Sequence, residues 1–189
     1  MNEIINCGKV LASVLGIGVL SACLFSQPEQ SDIVYYDLMQ PKKIASVPMD
    51  VAQLVSFSGE RQRMARRDHG ARINGSDFHK WVQTPGSLLT RYLQLAFRNE
   101  ASDDPAKLAD PVELRGEVLS FEIDGDDAVL GVRYHLRRGR HSFSKTVLIR
   151  EKMERPDPEC FPPAMSRAAD RLAQFIAADA AKLPPAERK

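Results

Sequence analysis

The chain has 189 residues, 43% of them apolar and 27% charged, which is enough for one domain with a sizeable core. Its 26 basic and 25 acidic side chains nearly cancel, so no global field steers it towards nucleic acid or an acidic surface. With three cysteines, a Cys-based zinc site, which needs several thiolates or thiolate–histidine sets, depends on how many of them stay free thiols in the folded body.

The first element spans 9–23. Lys9, an apolar run from Val10 to Leu20 and then small residues have the layout of a secretory signal. The run is too short to span a bilayer, which takes about 20 apolar residues. It ends on Leu20-Ser21-Ala22-Cys23, which resembles the lipobox of bacterial lipoproteins. There, small residues let the backbone enter a narrow protease site, and the cysteine thiol accepts a diacylglyceryl group. The resemblance implies a signal peptide over 1–22 and lipidation of Cys23. Cys7 lies in the signal, so Cys160 is the one remaining free thiol, and neither an intramolecular disulfide nor a Cys-based zinc site is expected. We read Cys160 as a half-buried spectator. Residues 23–32 are short, mostly polar and interrupted by Pro28, as suits a lipidated tether. In proteobacteria an aspartate directly after the lipidated cysteine retains a lipoprotein in the inner membrane. Leu24 stands there, so the expected address is the outer membrane of a Gram-negative bacterium, facing the periplasm.

Ile33 to Leu38 is a β-branched and aromatic run that predicts a strand. Val47 and 51–57 predict a second, with Pro48 confining it to an edge or to a start at Met49. Segments 61–67 and 71–78, joined by Asp68-His69-Gly70, predict a hairpin. Thr84-Pro85 places a hydroxyl at the N-cap and proline at the first helical position. Leu88, Leu89, Tyr92, Leu93, Leu95 and Ala96 then fall on helical spacing through Arg98. Residues 99–110 read as a polar, acidic linker.

The clearest β region is 112–151. Leu119, Phe121 and Ile123 are expected on one face, followed by the Asp124-Gly125-Asp126 turn. Ala128, Leu130, Val132, Tyr134 and Leu136 form the next apolar face, and Phe143, Val147 and Ile149 the third, after Arg138-Gly139-Arg140. Glu122, Arg133, His135 and Arg137 point the other way. Pro156, Pro158, Pro162 and Pro163 read as a stiff connector. A last amphipathic helix follows over 164–182, with Met165, Ala168, Leu172, Phe175, Ile176 and Ala180 inward, and then a charged tail over 184–189. The predicted fold is a single α+β domain over 33–183. It is a two-layer sandwich whose mostly antiparallel sheet contains a three-strand meander (about 112–151), with two main helices (85–98 and 164–182) on one face.

No enzyme is expected. Asp77 and His79 would share one side of a strand, but a hydrolytic metal site needs three protein ligands and a second shell. His69, His135 and His141 read as surface residues. Neither a Gly-x-Ser-x-Gly elbow nor a phosphate-binding glycine loop is present outside the signal. The reading therefore assigns no catalytic residue, cofactor or metal. Arg61, Arg63, Arg66, Arg67 and Arg72 form the densest charge cluster, read as a hairpin edge protected by charge. The alternatives are an acidic partner's landing site or lipid headgroup contact. Nucleic acid is excluded by the exported context. Trp81 reads as a core residue or an interface anchor.

In order and spacing, these residues resemble one family. The lipobox and tether, Tyr35-Tyr36-Asp37-Leu38, Arg67-Asp68-His69-Gly70-Ala71-Arg72-Ile73-Asn74 and His79-Lys80-Trp81 before a proline-started helix are similar to the ABC-type transport auxiliary lipoproteins (PqiC-like). The resemblance implies a non-catalytic subunit of an envelope transport system that moves phospholipids or other hydrophobic cargo between membranes. Its implied partners are a periplasmic mammalian-cell-entry-domain protein and an inner-membrane permease. A homo-oligomeric ring is also implied, since some members assemble so. Arg67 and Trp81 become candidates for the partner face or for family-specific packing. The alternative is an outer-membrane lipoprotein adaptor of a Tol-, secretion- or polymer-export-type machine.

Overall fold

Period-2 alternation is longest in the second half of the chain, and these strands form the middle and one edge of the sheet. The structure is a computed structural model that describes residues 32–44, 47–57, 62–68, 70–98 and 110–185. The chain falls into two units, Met1–Asp32 and Ile33–Lys189, and the second is described below. The lipobox with Cys23, Arg61, His69 and the linker 99–109 lie outside the described residues.

In chain order the second unit contains β1 (Val34–Tyr36), β2 (Met49–Val51), β3 (Val55–Ser56), β4 (Arg63–Asp68), β5 (Arg72–Trp81), α1 (Pro85–Ala96), β6 (Val112–Asp124), β7 (Asp127–Arg138), β8 (His141–Lys152) and α2 (Phe161–Ala180). The strands form one sheet in the order β1-β5-β4-β6-β7-β8, with β2 and β3 also on β6. The predicted hairpin is β4–β5, and the predicted meander is β6–β7–β8, paired antiparallel throughout. Gly125 and Gly139, at φ +61° and +56°, open the two meander turns with the left-handed backbone that glycine adopts without strain.

The sheet is mixed rather than mostly antiparallel. Along one edge of β6, β2, β3 and β4 follow one another end to end, all parallel to it: Met49 beside Val112, Val55 beside Glu117, Ala65 beside Glu122. β1 likewise runs parallel to β5. Side-chain alternation reports which face is buried and carries no information about the direction of the neighbouring strand.

The two helices cover one face, α1 over β2, β3 and β6, and α2 over β7 and β8. The layer between them holds the expected rows from β7 (Ala128, Leu130, Val132, Tyr134, Leu136) against Leu88, Leu89 and Leu93 of α1 and Met165, Leu172 and Ile176 of α2. Leu119 departs from expectation. Against β7 the register of β6 shifts between Val118 and Ser120, a bulge that turns Leu119 to the outer face, where it is 37% exposed. Leu95 and Phe175 lie on the flanks of their helices and are exposed, as is Phe143 on the last strand of the sheet. The second helix begins at Phe161 rather than 164. Pro162 and Pro163 sit in its first turn, where a missing N–H breaks no bond. The first ends at Ala96, two residues earlier than predicted.

The break between β2 and β3 fixes α1 to the sheet edge. Leu54 N–H, which has no strand partner there, donates to Thr90 Oγ1 at 2.9 Å, and Thr90 Oγ1 donates to Gly86 O at 2.7 Å. The contact is so close that a Cβ on Gly86 would lie 2.5 Å from Leu54 O. Glycine to alanine normally stabilises a helix by about 1 kcal/mol. Here the sign reverses. Gly86→Ala is expected to destabilise by about 1–3 kcal/mol through backbone displacement, read as a lower urea midpoint, and a raised midpoint would contradict the close approach.

Candidate functional site

Arg67 and Trp81 are carried by the same hairpin, but the structure does not bring them together. Arg67 pairs with Ile73 near the Gly70 turn, whereas Trp81 ends β5 beside Tyr36 of β1. Arg67 lies on the outer face of the sheet. Its Nε and Nη2 reach Glu122 Oε1 at 2.7 and 2.6 Å, and its Nη1 donates to Gly70 O at 3.0 Å. Glu122 is only 5% exposed, so this face, expected to be solvated, carries a buried carboxylate that needs its cation. Trp81 lies on the inner face and is fully buried between Phe121 and Phe161. Its indole N–H has no acceptor among the described residues.

Two other arginines of the cluster, Arg63 and Arg66, are also engaged. Arg63 pairs with Asp77 at 2.8 Å, and Arg66 donates to Pro156 O at 2.5 Å. Asp77 and His79 therefore do not form a pair: Asp77 is taken by Arg63, while His79 Nδ1 meets Tyr36 Oη at 3.1 Å. His135 Nδ1 meets Ser144 Oγ at 2.7 Å. Among the described residues no group of three or more metal-ligating side chains converges. Cys160 is half-buried at the start of α2, its N–H donating to Asp157 Oδ1 at 2.8 Å.

The outer face is a ladder of cross-strand ion pairs: Arg137 with Glu113 at 2.6 Å, Arg133 with Glu117 at 3.1 Å and Arg150 with Asp124 at 2.8 Å. The Arg137 guanidinium, by hydrogen bond and charge, holds the Glu113 carboxyl below its ordinary pKa. Between these pairs a shallow groove of about 470 Å³ is lined by Val55, Gln53, Glu117, Arg133 and His135. Val55, Phe57 and Leu119 expose apolar surface beside it. The face thus offers charge pairs and an apolar strip, a composition suited to contact with another protein.

Sequence reasoning missed a second buried polar site, on the inner face. Asp179 of α2, 4% exposed, accepts from Tyr134 Oη at 2.6 Å, Lys145 Nζ at 3.1 Å and Lys182 Nζ at 2.6 Å. Burial pushes its pKa up, but the bonds from Lys182, Tyr134 and Lys145 outweigh that and bring it to about 2. Tyr134 is raised well above the ordinary phenol value by burial and by Asp179. A signal existed: Asp179 falls on the apolar stripe of α2, three residues after Ile176 and seven after Leu172.

Two solved structures share the fold. A crystal structure of an uncharacterized protein aligns at TM-score 0.64 and 10% identity, covering 78% of this chain and 98% of its own. A crystal structure of a Xanthomonas campestris protein assigned to the DUF330 family aligns at TM-score 0.63 and 15% identity, covering 78% and 95%. No curated protein is significantly similar to the chain. The sequence model of one family, described as the ABC-type transport auxiliary lipoprotein component, matches residues 53–177. The match runs from the β2–β3 break through nearly all of α2 and so covers the hairpin with Arg67 and Trp81, the meander and both helices. By that match over well over half of its length, the chain belongs to the ABC-type transport auxiliary lipoprotein family.

Proposed function

We propose that this protein is a non-catalytic lipoprotein subunit of the outer membrane, facing the periplasm. It serves an envelope transport system that carries phospholipids or other hydrophobic cargo between membranes. The observation that supports this reading is the family match over residues 53–177, joined to the lipobox that ends at Cys23. In this reading the diacylglyceryl group on Cys23 holds the body at the membrane. One acyl-type anchor signal alone gives marginal attachment, whereas several chains on one residue give stable attachment. The partners are a mammalian-cell-entry-domain protein and an inner-membrane permease. Of the two candidate residues, Arg67 faces outward beside the ion-pair ladder and belongs to the partner face, while Trp81 acts through packing.

Purification of the lipidated protein from gently solubilised membranes, followed by mass spectrometry, is expected to recover a mammalian-cell-entry-domain protein or an ABC permease. Recovery of a Tol, secretion or polymer-export component instead would replace this reading with the adaptor one. Cys23→Ala is expected to move the protein out of the outer-membrane fraction and to weaken detergent resistance. Wild-type fractionation of that variant would refute the anchor.

A further inference from the structure

The chain enters the folded body along an exposed apolar edge. β1 stands at one end of the sheet, and no strand lies beyond it among the described residues. Ile33, Val34 and Tyr35 follow one another there, and together with Phe78 of β5 they are between 42% and 57% exposed. Phe78 directly precedes His79, the register neighbour of Val34. Single apolar side chains in water are ordinary, whereas a contiguous group of them marks a contact surface.

Period 2 sends Tyr35 and Tyr36 to opposite faces. Tyr36 stands beside Trp81 and packs against the core, so Tyr35 and its register neighbour Lys80 lie on the outer face. Lys80 is half-buried and has no ion-pair partner among the described residues. Opposite it on β4, Arg63 is held by Asp77 at 2.8 Å, so the two charges cancel. On the inner side, burial and the carboxylates of Glu159 and Asp157 raise the Tyr36 phenol pKa, which makes that side unfavourable for an anion. The outer side therefore joins an apolar and aromatic strip to one uncommitted ammonium. Tyrosine places an apolar ring and a hydroxyl at the boundary between acyl chains and headgroups. Lysine buries its methylene stem there while its charge reaches the phosphates.

The covalent path names the surface that this strip meets. In the reading given above Cys23 carries the lipid, and the inference rests on that reading. Ile33 follows Cys23 by ten residues, which at full extension reach at most about 36 Å. A short tether holds the surface it joins at high effective concentration against the bilayer, so even a weak contact there is occupied. We propose that Ile33, Val34, Tyr35, Phe78 and Lys80 form a docking strip for the phospholipid headgroup layer of the membrane that holds the anchor. The open backbone edge of β1 sets the depth. Its unpaired N–H and C=O groups need water, so the strip stays among the headgroups and does not enter the hydrocarbon. The acyl anchor by itself leaves the body free to turn; the strip fixes which edge of the sheet faces the membrane.

The test reconstitutes the full lipidated chain, in a Cys160→Ser background, into vesicles of phosphatidylethanolamine and phosphatidylglycerol. Tyr35→Cys carries an environment-sensitive fluorophore on its thiol. Leu148→Cys carries the same label as the control, since Leu148 is exposed on β8 at the opposite end of the sheet. Flotation with the vesicles reports the anchor separately: chains that stay unbound would refute the lipidation of Cys23 and this proposal with it. Among floating chains, the label at position 35 is expected to emit at shorter wavelength than the label at 148. It is also expected to lose emission to phospholipids brominated beside the headgroup, and to lose less to those brominated near the chain end. Lys80→Glu in the Tyr35→Cys chain is expected to reduce that loss with an unchanged circular dichroism spectrum. Equal emission and quenching at 35 and 148 in floating chains would overturn the proposal and leave the anchor standing. Stronger quenching from the chain ends would place the strip in the hydrocarbon and overturn it as well. Quenching indifferent to Lys80→Glu would reject the contact with phosphate.

Discussion

Trp81→Ala is expected to lower the free energy of unfolding by about 3–5 kcal/mol, the range for truncating a buried aromatic. A single domain has only about 5–15 kcal/mol in total, so the variant sits close to the unfolding threshold. The cost follows from position. Trp81 is fully buried and packs edge-on to Phe121 at 5.1 Å and to Phe161 at 5.3 Å, and these two are themselves 6.2 Å apart. The triad joins β5, β6 and the first turn of α2, three elements that no local sequence contact holds together. Edge-to-face aromatic pairs add about 0.5–1.5 kcal/mol each beyond area burial. Trp81→Phe should cost much less than the alanine variant, about 1–2 kcal/mol. It keeps a ring in the triad and removes a buried N–H that has no acceptor among the described residues. Urea unfolding followed by circular dichroism checks both, since the only tryptophan is lost in each variant. A Trp81→Ala cost under about 1 kcal/mol would show that the triad is not central to the fold.

Local signals located most of the elements. Thr84-Pro85 marked the start of α1, where Thr84 Oγ1 and Ser87 form the expected cap contacts at 3.0–3.4 Å. Asp124-Gly125 and Arg138-Gly139 placed both meander turns, and Asp68 to Gly70 placed the hairpin turn. The errors arose where a decision depended on distant residues. Nothing near Leu119 announces a bulge, because period 2 assigns it to the same face as Phe121; the extra residue becomes visible only against β7. The parallel run of β2, β3 and β4 along β6 joins residues 57 to 63 positions apart, and strands as short as β2 and β3, with three and two residues, carry too little pattern to name their partner. By itself Pro162-Pro163 reads as a connector, because proline ends helices more often than it opens a first turn with two in succession. The functional residues divide the same way. The burial of Trp81 was legible from its place before a helix. The tie between Arg67 and Glu122, 55 residues apart, was not.

Asp179→Ala is expected to destabilise the protein by about 2–4 kcal/mol, because it strands Tyr134 Oη in the core without an acceptor and breaks a largely buried ionic cluster. Lys145 and Lys182 are partly exposed, so water rescues their charges and keeps the loss below that of a fully buried pair. Tyr134→Phe, which leaves Asp179 with both lysines, should cost only about 1 kcal/mol. The same cluster predicts a pH dependence. The pKa of Asp179 falls from an ordinary carboxylate value to about 2 on folding, so the unfolded chain takes up a proton more readily than the folded one. The stabilisation is therefore complete above about pH 4 and disappears as pH falls through about 2. Tyr134 acts at the other end. Its raised pKa favours the protonated phenol in the folded state, so this contribution is complete below about pH 10 and is lost as pH rises beyond it. The gap between wild type and Asp179→Ala should therefore hold through neutral pH and close on acidification towards pH 2. Urea midpoints measured for both proteins across that range provide the check. A gap that stays constant down to pH 2 would mean that the carboxylate is not held ionised by Lys182, Tyr134 and Lys145, and that the cost of Asp179→Ala is one of packing alone.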